Sequence, residues 1–252
     1  MNDPGAFSVR LHFHESLRFF LKDKIVGSLG KTLREKTSVK DVIESCGVPH
    51  PEVDLILVEN LPVDLAFLAR SEADIEIFGV GDFPDRFPQA RLQRKSIRRF
   101  VADGHLGKLV RILRLFGIDV SYERDPNDRD LLDISTGEER ALLTRDRRLL
   151  MHAVVRDGYY IRSQDPDEQA LEVVRRFHLL EAIAPFTRCL NCNSPLAHVG
   201  KNEIESQLEP LTKIYYGDFR QCLGCGKIYW AGSHFPKLQA RIAALKQVFR
   251  AY

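Results

Sequence analysis

The chain has 252 residues, more than one domain usually contains, so we expect two or three modules. Hydrophobic residues make up 44% of the chain and charged residues 29%, a balance that excludes a largely disordered protein. The formal net charge of +2 excludes a basic field over the whole molecule, so any attraction to nucleic acid has to come from local clusters.

The N-terminal residues and the cysteines bear on the compartment. The run from Met1 to Gly5 lacks a basic region followed by an apolar core, and no stretch reaches roughly 18 uninterrupted apolar residues. Four of the five cysteines form two Cys-x-x-Cys pairs, which in a reducing compartment indicates a metal site rather than disulfides. We therefore expect a soluble cytoplasmic protein with no membrane partner.

Residues 1–81 are predicted to form a small α+β module. Apolar and polar side chains alternate from Phe7 to Phe13, as in a half-buried strand. Ser38 can cap a helix that Gly47 ends, which places Cys46 in the core. Strand-like runs follow at residues 55–58, 63–67 and 75–80. This order resembles the β-grasp of ubiquitin-like proteins.

Residues 82–98 are predicted to be a basic linker, because two prolines, Pro84 and Pro88, interrupt them. Two interpretations of its charge stay open: a solvated connector, or a strip that contacts RNA. The basic side chains in and next to it are Arg86, Arg91, Arg94, Lys95, Arg98 and Arg99.

Residues 99–185 change to strands that alternate with helices. A short apolar strand at 100–102 precedes a helix with Leu106, Leu109 and Leu113 on one face, and Gly117 ends that helix. This alternation predicts a three-layer α/β/α domain with a mainly parallel sheet. The later elements are predicted as strands at 118–122, Ala141–Thr144 and 159–162, and helices at 130–136, 147–153 and 166–180.

Residues 186–252 carry the cysteine pairs and a final amphipathic helix. Cys189 and Cys192 are separated by 29 residues from Cys222 and Cys225, and two tight pairs can hold one tetrahedral Zn²⁺. Four sulfur ligands leave no open position for water, so the site is predicted to be structural. Trp230 could be a stacking platform or part of the ribbon core, and we predict core. His234 is predicted to be an ordinary surface or second-shell histidine rather than a contact to nucleic acid. The helix stripe comprises Leu238, Ile242, Leu245 and Phe249.

Aspartates stand where the predicted strands of the parallel sheet end. Asp103 directly follows the strand at 100–102, and Asp146 closely follows Ala141–Thr144. Asp128 lies just ahead of the predicted helix at 130–136, with Asp130 close behind it. Because ligands of open α/β sheets bind at the carboxyl ends of the strands, we expect these side chains to converge on one pocket.

Carboxylates held together repel one another unless a cation is present, and hard oxygen ligands suit Mg²⁺ or Mn²⁺. A single aspartate at a strand end is more often a turn residue or a helix cap, so the joint placement carries the prediction. Asp125 and Asp133 are assigned instead to a turn and to the outer face of a helix.

Basic residues near the acidic positions are candidates for holding phosphates. Lys108, Arg111 and Arg114 lie along the first helix of this region, and Arg145 precedes Asp146. Solvated helix charges explain the three helical residues equally well, so both interpretations stay open.

Six blocks of the sequence, in order, resemble the Mut7-C (Mut-seven C-terminal) RNase family. The resemblance covers residues 97–240, and the N-terminal part resembles the ubiquitin-like domain often fused to that family. The blocks lie at residues 100–109 (FVADGHLGKL), 113–119 (LRLFGID), 127–132 (NDRDLL), 142–147 (LLTRDR), 188–193 (RCLNCN) and 222–234 (CLGCGKIYWAGSH).

The resemblance implies a PIN-like nuclease fold, a carboxylate-bound divalent metal, a zinc ribbon and RNA as substrate. Asp103, Asp128 and Asp146 match the acidic positions, and Asp130 is a further candidate. PIN-like analogy also implies products with a 5′-phosphate. Sulfur transfer by the N-terminal module is not expected, because Gly79 and Gly81 are separated and internal, so we expect it to dock a protein partner.

Two other functions compete with the ribonuclease. The first is an RNA- or ribosome-associated adaptor with little activity, in which the ribbon and the linker bind; the complete acidic set favours the enzyme instead. The second is a phosphatase with an aspartyl nucleophile, which would need a carboxylate two residues after Asp103, where the chain has His105.

Overall fold

The computed structural model describes residues 6–22, 27–82, 87–94, 96–233 and 235–250, with no side-chain description at 249 and 250. Pro84, Arg86, Lys95 and His234, which the sequence analysis singled out, lie outside these residues, as does the side chain of Phe249. Two compact units are present: residues 1–95 with 128–160, and residues 96–127 with 161–252. Within the described residues, no helix is long and apolar enough to cross a membrane.

The N-terminal region forms a β-grasp-like sheet, as predicted. Its five strands lie in the order β2-β1-β7-β4-β5, with β1 antiparallel to β2 and parallel to β7. The elements are β1 (Phe7–Phe13), α1 (Glu15–Arg18), β2 (Ser28–Leu33), β3 (Thr37–Ser38), α2 (Val39–Ser45), β4 (Val53–Val58), β5 (Leu61–Val63), β6 (Leu68–Ala69) and β7 (Ala73–Gly79).

Helix α2 covers one face of this sheet. The Ser38 hydroxyl accepts a hydrogen bond from the Asp41 backbone N–H at 3.1 Å, which confirms the predicted cap. Val42 and Ile43 are fully buried against the strands, and Cys46 packs at the edge of the same core. The predicted strand at 63–67 is wrong, because the Asp64 carboxylate accepts the Ala66 N–H and turns the chain there.

Residues 87–94 cover the other face of the sheet. Phe87 and Ala90 pack against a second cluster of buried side chains from β4 and β7. Leu92 donates its backbone N–H to the Asp54 carbonyl at 2.8 Å. This part of the predicted linker is therefore attached to the sheet, and it lengthens the N-terminal core.

Two arginines of the linker, Arg91 and Arg94, are held in ion pairs. Arg91 lies 2.8 Å from the Asp54 carboxylate, and Arg94 donates to Asp157 at 3.1 Å. The Asp157 carboxylate raises the pKa of Arg94, and Asp157 itself is almost fully buried. Both side chains are thus paired with carboxylates of the fold, which disfavours a role for Arg91 and Arg94 in a free strip that contacts RNA.

Parallel strands alternate with helices beyond residue 98, as predicted. Strand β8 pairs in parallel with β9, and β10 pairs in parallel with β11. The elements are β8 (Arg99–Ala102), α3 (Gly107–Leu115), β9 (Asp119–Tyr122), α4 (Asp128–Gly137), β10 (Ala141–Thr144), α5 (Arg147–Leu150), β11 (Gly158–Tyr160) and α6 (Pro166–Arg176). Helix α6 ends earlier than predicted, because His178 adopts a left-handed backbone with φ of 50°.

A three-stranded antiparallel sheet, in the order β12-β13-β14, carries the second cysteine pair. The final helix is amphipathic as predicted, with Ile242 and Leu245 buried. The elements of this region are β12 (Leu196–Val199), α7 (Lys201–Ile204), α8 (Pro210–Tyr215), β13 (Phe219–Cys222), β14 (Ile228–Trp230) and α9 (Phe235–Arg250).

A buried polar chain fixes residue 155 to the N-terminal sheet domain. The His50 ring lies 2.6 Å from the Glu44 carboxylate and 2.6 Å from the Val155 carbonyl, so both ring nitrogens face acceptors. Lys40 donates to the other Glu44 oxygen at 3.1 Å. Burial opposes ionisation of Glu44, but the hydrogen bonds from His50 and Lys40 outweigh it and lower the pKa of this carboxyl.

We expect Glu44→Gln to destabilise the fold by about 1–3 kcal/mol at pH 7, because it removes two charge-assisted hydrogen bonds. A carboxyl whose folded pKa is lowered stabilises the fold above its unfolded pKa and loses that effect as the pH falls through the folded value. The difference between wild type and variant should therefore shrink below about pH 4, as urea unfolding at several pH values would measure. A difference independent of pH would contradict the assignment.

Candidate metal centres

The four paired cysteines come together on the antiparallel sheet. Their sulfur atoms all lie within 4.8 Å of one another, with Cys189 and Cys225 at 3.7 Å and Cys192 and Cys222 at 3.3 Å. Tetrahedral Zn²⁺ with bonds of about 2.3 Å to each sulfur needs separations of about 3.8 Å. The group therefore fits one zinc ion with little movement.

Backbone donors and close turns shape the cysteine loops around this position. Cys222 Sγ accepts the backbone N–H groups of Gly224 and Cys225, each at 3.4 Å. A side chain at Gly224 would meet the Ser194 hydroxyl at 2.3 Å, so only glycine fits there. Gly226 takes a left-handed φ of 72°, which closes the second turn. The tight packing of the second cysteine loop therefore favours glycine at both positions.

The pKa values of the Cys192 and Cys222 thiols are shifted in opposite directions. Burial disfavours the Cys192 thiolate, but hydrogen bonds from Ser194 and from Cys222 outweigh it and lower the pKa of Cys192 to about 6. Burial, with hydrogen bonds to Cys192 and Cys225, raises the pKa of Cys222 to about 11. Zinc binding at neutral pH must displace the Cys222 proton, so zinc uptake releases acid.

The sequence analysis missed two residues that support this centre. The Tyr229 hydroxyl lies 3.1 Å from Cys189 Sγ and accepts the Leu190 N–H at 3.1 Å. Burial and the neighbouring Cys189 sulfur raise the pKa of Tyr229, so it stays a donor to the sulfur. Asn193 accepts the Val120 N–H and donates to the Asp119 carboxylate, which joins the first cysteine loop to β9. For Tyr229, the only signal in the sequence is an aromatic residue close to a Cys-x-x-Cys pair. For Asn193 the sequence gives no signal.

Arg114 connects helix α3 to the same loop. Its guanidinium donates to the Val120 carbonyl at 2.8 Å and to the Asn191 carbonyl at 2.7 Å, with a longer bond to Leu190. Only 3% of Arg114 is exposed, and burial lowers its pKa while the Cys189 sulfur opposes that change. The prediction that Arg114 holds phosphates or is a solvated charge is therefore wrong: this arginine is a structural cation.

Asp103 follows β8 and precedes a 3-10 turn at Gly104–Leu106. The Tyr122 hydroxyl donates to the Gly104 carbonyl at 2.8 Å, which ties the turn to the end of β9. A side chain at Gly104 would meet the Arg124 carbonyl at 2.7 Å, so the backbone must approach closely here. The position of Asp103 is thus fixed by local packing at the carboxyl end of a parallel strand.

Asp146 caps helix α5 beyond the carboxyl end of β10. One of its carboxylate oxygens, Oδ1, accepts the backbone N–H groups of Arg148 at 2.7 Å and Leu149 at 3.3 Å. The Asp146 N–H in turn donates to the Thr144 hydroxyl at 3.0 Å. The cap orients the carboxylate and uses Oδ1, while Oδ2 takes no part in these bonds.

Asp128 and Asp130 both lie in the first turn of α4, which begins two residues earlier than predicted. Acidic side chains are favourable there, because the helix N-terminus carries partial positive charge. Both aspartates are exposed. Among the described residues, the side chains of the four cysteines are close enough together to hold one metal ion. No aspartates within those residues are grouped as tightly.

The remaining predicted site residues are basic. Lys108 and Arg111 are exposed on α3, and Arg145 is half-buried between β10 and α5. Trp230 departs from its prediction as ribbon core: 41% of it is exposed, although its ring approaches Tyr216 and Phe219 at 6.4 Å. An indole ring with this much exposed surface is available to contact a ligand.

Comparison with known proteins identifies both parts of the chain. The family model described as the Mut7-C RNAse domain matches residues 98–242, and the model described as Mut7-C ubiquitin matches residues 6–78. A search of the curated proteins found no match. The first match spans more than half of the chain, including Asp103, Asp128, Asp146 and all four paired cysteines.

We expect Cys189→Ser to remove zinc and destabilise the ribbon, because structural zinc binding is coupled to folding. Cys46→Ser is the matched control, since Cys46 lies outside the cysteine group and its sulfur donates to the Val42 carbonyl at 3.3 Å. Metal analysis of the purified proteins should give one zinc per chain for wild type and Cys46→Ser. Full zinc in Cys189→Ser would refute the site.

We expect Arg114→Lys to lower the unfolding free energy by about 2–4 kcal/mol, because one ammonium group cannot reach both carbonyls that the guanidinium joins. The zinc should also dissociate faster to a colorimetric chelator. Arg111→Lys, one turn away on the exposed face, is the control. Equal stability and zinc release in the two variants would show that Arg114 does not hold the loop.

Proposed function

The chain belongs to the Mut7-C RNAse domain family, and from this membership we propose that it is a metal-dependent ribonuclease that hydrolyses phosphodiester bonds of RNA. The match of the family model to residues 98–242 carries the proposal. The matched residues include aspartates that can hold a divalent cation and four cysteines that can hold zinc. A divalent cation can offset the negative charge of a polyanionic substrate.

The proposed catalytic set is Asp103, Asp128 and Asp146, with Asp130 as an additional member. Asp103 and Asp146 stand beyond the carboxyl ends of two parallel strands, the usual location of ligand sites in α/β folds. Asp128 and Asp130 open a helix. All four offer hard oxygen ligands, so the residues fit Mg²⁺ or Mn²⁺.

These residues would act by position and charge. The helix cap at Asp146 holds its carboxylate through Oδ1, which leaves Oδ2 as the proposed cation ligand. The turn after Asp103 is held by the Tyr122 hydroxyl, which fixes the backbone next to that aspartate. A bound divalent cation supplies charge neutralisation at the phosphodiester and a more acidic water. We propose hydrolysis by water, with a 5′-phosphate on the product.

Lys108, Arg111 and Arg145 are the proposed phosphate contacts. Lys108 and Arg111 are exposed one turn apart on α3, so both can follow a nucleic-acid backbone. Arg145 adjoins Asp146 in the chain, and a cation there can offset the charge of a phosphate next to the acidic set. Arg114 is excluded from this role by its burial.

The division of labour follows the proposed domains. Residues 1–81 form the ubiquitin-like domain, for which we propose a protein partner; residues 82–98 join it to the nuclease domain at 99–185; and residues 186–252 form the zinc ribbon with its helix. The four thiols of the ribbon require a reducing environment to bind zinc, so we propose a cytoplasmic location.

We expect Asp146→Asn to lower metal-dependent cleavage of single-stranded RNA by about 100-fold or more, because an amide is a poor ligand for a hard cation. Asparagine caps helices as well as aspartate, so the fold should be kept. Asp133→Asn is the matched control, because Asp133 is exposed on α4 and pairs with Arg129 on the helix surface at 3.8 Å.

Cleavage by wild type and Asp133→Asn, lost in Asp146→Asn and in the presence of a chelator of Mg²⁺ and Mn²⁺, would support the enzyme. If none of the three proteins cleaves RNA in a metal-dependent way but all still bind it, the adaptor would be favoured instead. Circular dichroism and zinc content should match in all three, which separates lost chemistry from lost structure.

A further inference from the structure

Three neighbouring hollows lie on the part of the chain that carries the ribbon. Their volumes are about 320, 200 and 470 Å³, and Leu238 of α9 lines all three. The first contains Lys108 and Arg111 of α3, and the second and third share Tyr229 and Trp230 of β14. The exposed cations of α3 and the exposed tryptophan therefore line neighbouring hollows.

The middle hollow is lined by aromatic rings. Phe186 and Phe235 approach each other with ring centroids 4.5 Å apart, and Tyr229 and Trp230 contribute from β14. Its volume of about 200 Å³ leaves room for one flat heterocycle. Aromatic faces are the surfaces on which unpaired bases stack.

Two arginines stand at the edge of this aromatic pocket. Arg220 donates to the Phe186 carbonyl at 2.8 Å, and its guanidinium carries five N–H donors, so this bond positions the group without exhausting it. Arg188 donates to the Asn193 carbonyl at 2.9 Å and is paired with the Asp119 carboxylate at 3.2 Å, so its charge is already matched within the fold. Asp218 also lines this hollow. Cations next to stacking surfaces are the combination that proteins use to bind single-stranded nucleic acid.

The C-terminal segment that carries the pocket is more basic than the chain as a whole. Residues 186–252 contain nine lysines and arginines against four aspartates and glutamates, whereas the whole chain has a net charge of only +2. Even with four thiolates and one zinc ion counted, the segment stays positive. A net positive segment that also carries the aromatic pocket favours a polyanion over an apolar protein segment as occupant.

We propose that the pocket formed by Phe186, Tyr229, Trp230 and Phe235 binds one unpaired base of single-stranded RNA, with Arg220 contacting an adjacent phosphate. This rests on the proposed ribonuclease function and names the form of its substrate. The strand continues along α3, where Lys108 and Arg111 bind further phosphates. Duplex RNA is excluded from the pocket, because its bases are stacked within the helix.

Trp230 is the sole tryptophan of the chain, so its fluorescence reports directly on the pocket. We would titrate full-length Asp146→Asn protein with a twelve-nucleotide RNA lacking secondary structure, in magnesium-free buffer, and follow tryptophan emission. Saturable quenching that weakens with added salt is expected. The same RNA annealed to its complement should leave the emission unchanged, and quenching of equal size by the duplex would overturn the proposal.

Trp230→Ala, in the same Asp146→Asn background, should weaken binding of fluorescein-labelled single-stranded RNA about tenfold, the size expected for one stacked base. Trp230→Phe should restore most of the affinity, because a ring remains. Tyr215→Ala is the matched control: Tyr215 is 73% exposed and lies outside the three hollows. Unchanged binding in Trp230→Ala, or equal losses in Trp230→Ala and Tyr215→Ala, would overturn the proposal.

A cleavage assay separates this inference from the function on which it rests. If wild type cleaves RNA but Trp230 neither responds to RNA nor matters for its binding, the pocket assignment fails alone. If RNA quenches Trp230 and Trp230→Ala weakens binding, yet wild type shows no metal-dependent cleavage, the pocket stands and the ribonuclease proposal fails.

Discussion

The buried guanidinium of Arg114 is the constraint on which the C-terminal half of the protein depends. A cation with 3% exposure is stable only if its donors are satisfied, and the carbonyls that satisfy them belong to β9 and to the first cysteine loop. The zinc loop cannot leave β9 without leaving that charge unpaired. Asn193 reinforces the same junction by pairing with the Val120 N–H. The ribbon is therefore an integral part of the unit that contains α3, and the aromatic pocket inherits its rigidity from this contact.

Ligand chemistry separates the two kinds of metal site. Four sulfurs already grouped within 4.8 Å match zinc, whose role is to fold the ribbon. The aspartates proposed for catalysis offer oxygen ligands, and carboxylates gather only when a cation offsets their repulsion. In our proposal, zinc stabilises the ribbon that carries the RNA-binding pocket, and a second, exchangeable cation would supply the chemistry. A single chain can keep the two ions apart because sulfur and oxygen prefer different metals.

Periodicity and spacing predicted the β-grasp-like sheet, the alternating parallel strands and the cysteine group. They failed where tertiary contacts override local pattern. Arg114 has the spacing of a surface residue on an amphipathic helix, and only its distant carbonyl partners show that it is buried. Arg91 and Arg94 resemble linker charges until Asp54 and Asp157 are placed beside them. The exposure of Trp230 depends on how β14 meets α9, which no local pattern encodes.

The chemistry of the RNA ends tests the central claim most directly. Zinc-loaded wild type would be incubated with labelled single-stranded RNA while Mn²⁺ or Mg²⁺ is added back, and the new termini identified by mass spectrometry. Water-mediated hydrolysis by the carboxylate-bound metal predicts 5′-phosphate and 3′-hydroxyl ends whose formation requires the added cation. Ends with a 2′,3′-cyclic phosphate, formed without added cation, would mean attack by the ribose 2′-hydroxyl and would contradict the account.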